Sequence, residues 1–573
     1  MIFRIFRLLS PSHKLKLKLF FLFMITTSIA EIVSIASLVP FLTAITNPQK
    51  LYNFELMRPL IDFFSIYSYK DLIFPVTMLF ISTALFAGAC RIYLVYFMSK
   101  ITYSITAEIS SMIYKGYLMK DYLYHISTSK DVMLDMIVNK SNNSMRNIIL
   151  SSLTLGSSIA IFSIIVLALF IYNWLVTSVA ILFFGGIYFF ADFITRTKTR
   201  SNNHIISEFS YKNIREIKES LGSIKNAILA GVTDYFVENF ISLNSKIKSA
   251  QASNVFISNS PRYFIEALGM VVIAVIAYNL SDSEDVTYIF TILGVFVLST
   301  QKLLPIMQKI YNSNKVIKQN TIQAEQIISL IEEADALQKN NLSKTIALKD
   351  FKDAIIFKDV KFSFGSKVIF NHLNFTLKKG SRVAVVGESG VGKTTLLDLL
   401  MGLLSPETGN IIIDNKALST DNIASWRSLL SHVPQDCFLS NKTIQENVAF
   451  AIPKNLINMK RVIRACKQAQ VHDFINSLPE KYNTIIGSGG RVLSGGQAQR
   501  LGIARALYQK SSVIILDEAT NSLDKITEES VLLSLKKLPS TITVIIITHS
   551  KTSLKVCDTL LKISRKGVKI EKI

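Results

Sequence analysis

Long apolar runs dominate the first half of the chain and constrain its fold more than any other feature. A membrane-spanning helix needs ~20 mainly apolar residues, because hydrocarbon offers the backbone no hydrogen-bonding partner. Candidate spans fall at 18–46, 72–98, 147–171, 175–195, 262–280 and 286–310. The first follows Lys14, Lys16 and Lys18. Its length and the lack of a small-residue cleavage site argue for a retained span over a removed signal peptide. These runs predict an all-α, six-helix membrane domain over 1–315. Composition agrees, since half of the 573 residues are apolar and 18% are charged, against ~25% charged in soluble domains. A disordered, collagen-like or disulfide-built chain is excluded, and a purely soluble enzyme is not expected. The four cysteines, Cys90, Cys437, Cys466 and Cys557, are scattered without a CxxC pair and read as buried thiols in a reducing compartment.

Two long hydrophilic stretches, 99–146 and 196–261, separate the spans and carry many Lys and Arg, among them Lys115, Lys120, Lys140, Arg196, Arg200 and Arg215. The opposite connections are short or acidic: Tyr172-Asn173-Trp174 and Ser281-Asp282-Ser283-Glu284-Asp285. The positive-inside rule then predicts both termini and both long loops on the cytoplasmic side of a multi-pass protein of the cytoplasmic membrane. That accounts for much of the net charge of +22 through membrane lipids, without a nucleic-acid partner. Helical spacing at Ile214, Ile217, Leu221 and Ile224 predicts that the loops extend the spanning helices. A polar helical linker is expected over 316–353, and a soluble α/β domain over 354–573. There the short apolar strands Arg382–Val386, Ser431–Val433, Val513–Leu516 and Thr543–Ile547 alternate with helical segments, predicting a mainly parallel sheet.

The strongest chemical signal is Gly387-Glu388-Ser389-Gly390-Val391-Gly392-Lys393-Thr394, followed by Thr395. It matches the phosphate-loop pattern GxxxxGK[ST] between a strand and a helix. Glycines let backbone N–H groups converge on phosphates, Lys393 reaches the β and γ phosphates, and Thr394 can ligate Mg²⁺. A second element, Val513-Ile514-Ile515-Leu516-Asp517-Glu518, ends a buried strand in two carboxylates. Asp517 is expected on Mg²⁺ and Glu518 on the attacking water, as phosphoryl transfer from ATP requires.

Leu493-Ser494-Gly495-Gly496-Gln497 then precedes a helical segment with Arg500 and Arg505. This segment resembles the signature of ATP-binding cassette (ABC) ATPases. In that family's order stand Gln435 after Val433-Pro434, Asn521-Ser522-Leu523-Asp524, and His549 after Thr548. Phe364 falls where the family stacks an aromatic ring on adenine. The resemblance implies that Gln435 serves both catalysis and Mg²⁺, that His549 is the switch histidine, and that Asp524 belongs to the dimer-facing loop. It also implies that the Ser494–Gly496 nest contacts ATP held by a partner subunit. With one phosphate loop and one signature per chain, a homodimer with two composite sites is expected. Some positions depart from the pattern. Phe364 replaces the commoner Tyr, 485–492 lack the usual glutamate before the signature, and Ser550 follows His549 where Arg is common.

Six membrane helices ahead of one cassette resemble an exporter-type half-transporter of the type IV ABC fold. The resemblance implies coupling helices near 121–130 and 229–241. Charges inside the apolar runs, Glu31, Arg91, Arg262, Glu266 and Lys302, mark either structural ion pairs or a basic belt for an anionic headgroup. Ser260-Pro261-Arg262-Tyr263-Phe264-Ile265-Glu266-Ala267-Leu268-Gly269 is similar to a P-R-x-x-x-E-x-x-G segment of PglK-type flippases. That likeness implies a polyprenyl-pyrophosphate-linked oligosaccharide as substrate. Export of a peptide or bacteriocin, a phospholipid or a drug is the competing expectation, and a regulatory membrane-anchored ATPase the remaining one.

Overall fold

The computed structural model describes residues 2–573 except 55–56, 64–65, 70, 173, 281–285, 343–347, 349, 488–492, 521–522 and 565–566. The expected connections at Asn173 and Ser281–Asp285, the glutamate-poor segment 488–492 and Asn521-Ser522 therefore lie outside the described residues, as does the side chain of Lys302. The chain divides into two units: Met1–Leu118 with Lys130–Ala334, and Met119–Ser129 with Asp335–Ile573.

The first unit is helical. Its principal helices are α1 (Pro11–Ala36), α2 (Ile73–Leu118), α4 (Arg146–Tyr172), α5 (Trp174–Gly222), α6 (Thr233–Leu280) and α7 (Val286–Leu342), while α3 (Tyr122–Ser127) belongs to the second unit. Every expected span falls within a helix, although the first is divided at Ser37 between α1 and Leu38–Thr46. Among the described residues, three segments are long and apolar enough to cross a membrane: Pro11–Thr46, Ile73–Leu118 and Val132–Leu167.

Period explains what each helix buries. Ile101, Ile105, Ile109 and Ile113 recur every four residues on α2 and are fully buried. On α7, Ala324, Ile327, Ile328, Ile331 and Ala334 repeat the pattern, so the helix continues without interruption to Leu342 through the polar stretch expected as a linker. Close approach of α2 and α7 is set at Gly116, where a Cβ would lie 3.4 Å from that of Ala334. Buried Thr27 and Ser28 of α1 are tolerated because their hydroxyls donate to the carbonyls of Phe23 at 2.9 Å and Met24 at 2.8 Å. The short helix of the second long loop is Ile224–Ala230, closed by Gly231 at φ +66°. The expected 229–241 instead contains that turn and the start of α6.

The second unit is α/β. Its strands are β1 (Ala354–Phe364), β2 (Lys367–Lys378), β3 (Arg382–Gly387), β4 (Thr408–Ile413), β5 (Lys416–Ala417), β6 (Leu430–Val433), β7 (Lys442–Thr443), β8 (Ile485–Ile486), β9 (Val513–Asp517), β10 (Thr543–Ile547), β11 (Thr559–Ser564) and β12 (Gly567–Lys572). One sheet has the order β12-β11-β3-β10-β9-β6, parallel except for β12. Its central strands β3, β9 and β10 are buried on both faces. Val383, Val385, Ile515 and Ile545 enter one apolar core, and Ala384, Ile514, Leu516 and Ile546 the other. A separate antiparallel sheet, β2-β1-β4-β5, carries Phe364 at the end of β1. The alternation of strands and helices predicts the parallel sheet but not this antiparallel one, whose strands join through the tight turn at Gly365, φ +57°.

Candidate nucleotide site and intramembrane charges

Parallel pairing decides where the chemistry gathers. Ile547 of β10 pairs with Asp517 of β9 and with Val385 of β3, while Leu516 pairs with Val433 of β6. The carboxyl ends of four strands therefore share one edge, where open α/β sheets bind ligands. Four segments leave from that edge: the phosphate loop from β3, Gln435 from β6, Asp517-Glu518 from β9 and His549 from β10.

The loop has the backbone that close approach to phosphates demands. Gly390 at φ +77° faces open space, whereas a Cβ on Gly392 at φ +106° would lie 2.8 Å from Ile369 Cγ2 and 2.9 Å from Phe370 Cζ. Helix α8 (Lys393–Leu400) begins immediately after, with its free N–H groups toward the loop. Lys393 Nζ donates to the carbonyls of Gly387 at 2.8 Å and Glu388 at 3.4 Å, and lies 3.0 Å from His549 Nε2. His549 Nε2 is in turn 3.5 Å from Glu518 Oε1. Glu518 has φ +49°, a left-handed conformation that L-residues rarely adopt, and its N–H donates to Ile547 O at 3.1 Å. Such strain gathers at functional sites.

Burial raises the carboxyl of Asp517 above its ordinary range, and the neighbouring Glu518 adds to this against the opposing pull of Lys393. Burial pushes Asp398, inside α8, up to about 6, with Asp517 adding to the effect. Asp398, which motif reading passes over, thus lies in electrostatic range of Asp517. Its only sequence signal is a carboxylate within the apolar run Leu396–Leu400. Among the described residues no cluster of His, Cys, Asp and Glu could hold a metal by itself. Mg²⁺ fits that situation, because it takes few protein ligands together with substrate phosphates.

The signature segment is a helix start. Ser494 caps α9 (Gly495–Tyr508), its hydroxyl accepting from Gln497 N at 3.3 Å while Gln497 Oε1 accepts from Ser494 N at 3.0 Å. This capping box leaves the following N–H groups directed outward. Gln499 Nε2 donates to Gln435 O at 3.2 Å, joining α9 to the segment after β6. Arg500 donates to Gln470 O at 2.7 Å, and Arg505 to the carbonyls of Asn447 and Phe438 at 3.0 and 3.1 Å, so both arginines are structural ties. Asp524 caps α10 (Lys525–Lys536) by accepting from Thr527 N at 3.0 Å. Phe364 is partly exposed and meets Phe362 edge to face at 5.0 Å.

Helix α3 also reaches this neighbourhood. Asp121 lies in electrostatic range of Arg427, whose guanidinium donates to Gly402 O, and Tyr122 lies in electrostatic range of Asp398. In the first unit, Arg91 Nη1 pairs with buried Glu31 at 3.3 Å, and Arg262 Nε with Glu266 at 2.8 Å one turn along α6. Lys309, not singled out by the sequence, lies in electrostatic range of both Arg91 and Glu31.

Residues 370–521 match the ABC transporter family. The chain is 28% identical over 507 residues to an ATP-dependent lipid A-core flippase of Cupriavidus metallidurans, covering 86% of this chain and 83% of that protein. It is 39% identical over 228 residues to the leukotoxin translocation ATP-binding protein LktB of Mannheimia glucosida, covering 39% and 32% of the two chains. A bacterial Atm1-family ABC exporter with ATP bound superposes with a TM-score of 0.78, 21% identity and coverage of 97% and 95%. The chain therefore has the fold of an ABC exporter, a helical unit joined to an ABC ATPase domain, and couples ATP hydrolysis to transport.

Proposed function

We propose that two copies of this chain form a flippase in the cytoplasmic membrane, moving an anionic lipid-linked glycan from the inner to the outer leaflet. The observation that carries the reading is the charged cluster within the helical unit. Buried Glu31 pairs with Arg91, and Lys309 lies in electrostatic range of both, so among the described residues two cations stand near one carboxylate. Intramembrane charge is costly and persists where it meets a cavity or a partner, and Arg suits phosphate oxygens through its planar fork. Relatives aligned over most of the chain, named as lipid A-core flippases, support a lipid as cargo.

In this reading, residues 1–315 span and 354–573 hydrolyse, with 316–353 between. Phe364 stacks on adenine, while the Gly387–Gly392 amides, Lys393 and Thr395 hold the phosphates. Thr394, Asp517 and Gln435 would hold Mg²⁺, which neutralises charge on the β and γ phosphates. Glu518 accepts a proton from the water as its oxygen bonds to the γ-phosphorus and the bridging oxygen leaves with ADP. His549 orients the γ-phosphate. The Ser494–Gly496 amides and Asp524 complete the site of the partner subunit. Tyr122, in electrostatic range of Asp398, which is itself in range of Asp517, gives α3 a route by which nucleotide binding is felt at the membrane helices.

The test is ATP-dependent movement of a fluorescent polyprenyl-pyrophosphate oligosaccharide in proteoliposomes, with Glu518→Gln as control. Movement by wild type alone is expected. Intact ATPase without movement would remove this substrate class and favour peptide or phospholipid cargo.

A further inference from the structure

A second polar cluster lies between α5, α6 and α7, and most of it has no part in the roles assigned above. Tyr188 is 7% exposed, Tyr311 8% and Lys315 5%. The two tyrosine rings lie 5.3 Å apart, and Lys315 Nζ sits 4.6 Å over the Tyr311 ring. Lys315 Nζ also donates to Thr195 Oγ1 at 3.0 Å. At the rim Lys318 pairs with Asp192 at 3.6 Å, and Arg262 with Glu266 lies in electrostatic range of Tyr188.

Among the described residues positive charge here exceeds negative. An ammonium carries three N–H groups, and among the described residues Thr195 alone accepts from Lys315. The Tyr188 hydroxyl is buried, with no hydrogen-bond partner among the described residues. A buried polar group without a partner destabilises the fold, so its retention needs a reason. Among the described residues, three cations, Arg262, Lys315 and Lys318, stand with two carboxylates, Asp192 and Glu266. The missing component is therefore an anion with several acceptor oxygens. Depth identifies its source, because Thr195 and Tyr311 stand at the cytoplasmic ends expected for the spans 175–195 and 286–310. That is the level of the inner-leaflet phosphates.

We propose that Tyr188 and Lys315, with Arg262 and Lys318 at the rim, bind the phosphate group of an anionic lipid between α5 and α7. The proposal rests on the lipid reading above and assigns it a headgroup site distinct from the Glu31–Arg91 pair. Tyr188→Phe is the sharpest probe, since it removes only a hydroxyl that no described residue uses and keeps the ring stack with Tyr311.

Full-length protein in phosphatidylcholine nanodiscs doped with phosphatidic acid is examined by native mass spectrometry for retained lipid. A second arm adds inorganic pyrophosphate to phosphatidylcholine nanodiscs and reads the melting temperature. Tyr188→Phe should melt no lower than wild type in phosphatidylcholine alone. It should bind phosphatidic acid about 10-fold more weakly, the loss of one hydrogen bond to a charged group. Lys315→Gln should lose more and Lys315→Arg should recover retention, which separates charge from folding. Protection by pyrophosphate in wild type but not in Tyr188→Phe, without lipid retention, would overturn the lipid source and keep the phosphate chemistry. Equal retention and equal protection in wild type, Tyr188→Phe and Lys315→Gln would overturn the site. Retention lost in the variants, with no glycan flipped by wild type, would leave the site standing and sink the glycan reading.

Discussion

Ser494 holds two roles that substitution can separate. Its hydroxyl closes one half of the capping box at the start of α9, at 3.3 Å from Gln497 N, while the other half uses only its backbone N–H. Ser494→Ala removes the first bond, which costs ~1 kcal/mol at an N-cap. For a unit of this size that lowers the melting temperature by ~2–4 °C. Asp caps helices as well as Ser does, so Ser494→Asp should melt with wild type. In the proposed dimer, however, its carboxylate faces the γ-phosphate bound by the partner subunit. Two unit charges ~4 Å apart at an effective dielectric of ~20 repel by ~4 kcal/mol, about 10³-fold in an equilibrium constant. Differential scanning fluorimetry and ATPase assays on reconstituted protein read the two effects separately. The expected pattern is a destabilised Ala variant with residual turnover, and a stable Asp variant with almost none. Near-wild-type hydrolysis by Ser494→Asp would refute the placement of the signature against a phosphate.

Lys393→Ala should weaken ATP binding strongly in an equilibrium nucleotide titration, because no other Lys belongs to the phosphate loop. Glu518→Gln should bind ATP and accumulate as a stable closed dimer by size-exclusion chromatography, and normal turnover by a pure sample would end the assignment of Glu518. Gly392→Ala meets both a left-handed φ of +106° and a Cβ 2.8 Å from Ile369. The strain of ~1–2 kcal/mol and a repacking cost of ~1–3 kcal/mol should show as a lower melting temperature of the ATPase unit. Arg91→Ala and Lys309→Ala should each reduce glycan flipping while basal ATPase persists, and parallel loss of both activities would make the cluster structural.

The class of the protein was legible in the chain because its signals are local. Apolar length marks a span whatever surrounds it, and GxxxxGK[ST] between a strand and a helix carries its own chemistry. Ser494 and Gln497 form a capping box at a spacing that can be read in one dimension. The intramembrane pairs were legible only as alternatives. Glu266 could be matched to Arg262 from their separation of one turn, but choosing Arg91 for Glu31 required α1 packed against α2. Asp398, Lys309, Tyr188 and Lys315 escaped because their meaning lies in neighbours far along the chain. Asp398, on α8, takes its surroundings from Asp517 on β9, and Lys315 from Thr195 on a second helix as well as Tyr311 on its own.

The sequence by itself determined the apolar helices, the alternating strands and the motif residues, since these depend on periodicity and short-range spacing. Tertiary structure decided which carboxyl ends of the parallel sheet converge, which buried charges share a partner, and which hydroxyls are left without one. The physical reason is that a charge or a polar hydrogen takes its energy from whatever lies within a few ångströms, and only the folded chain determines that.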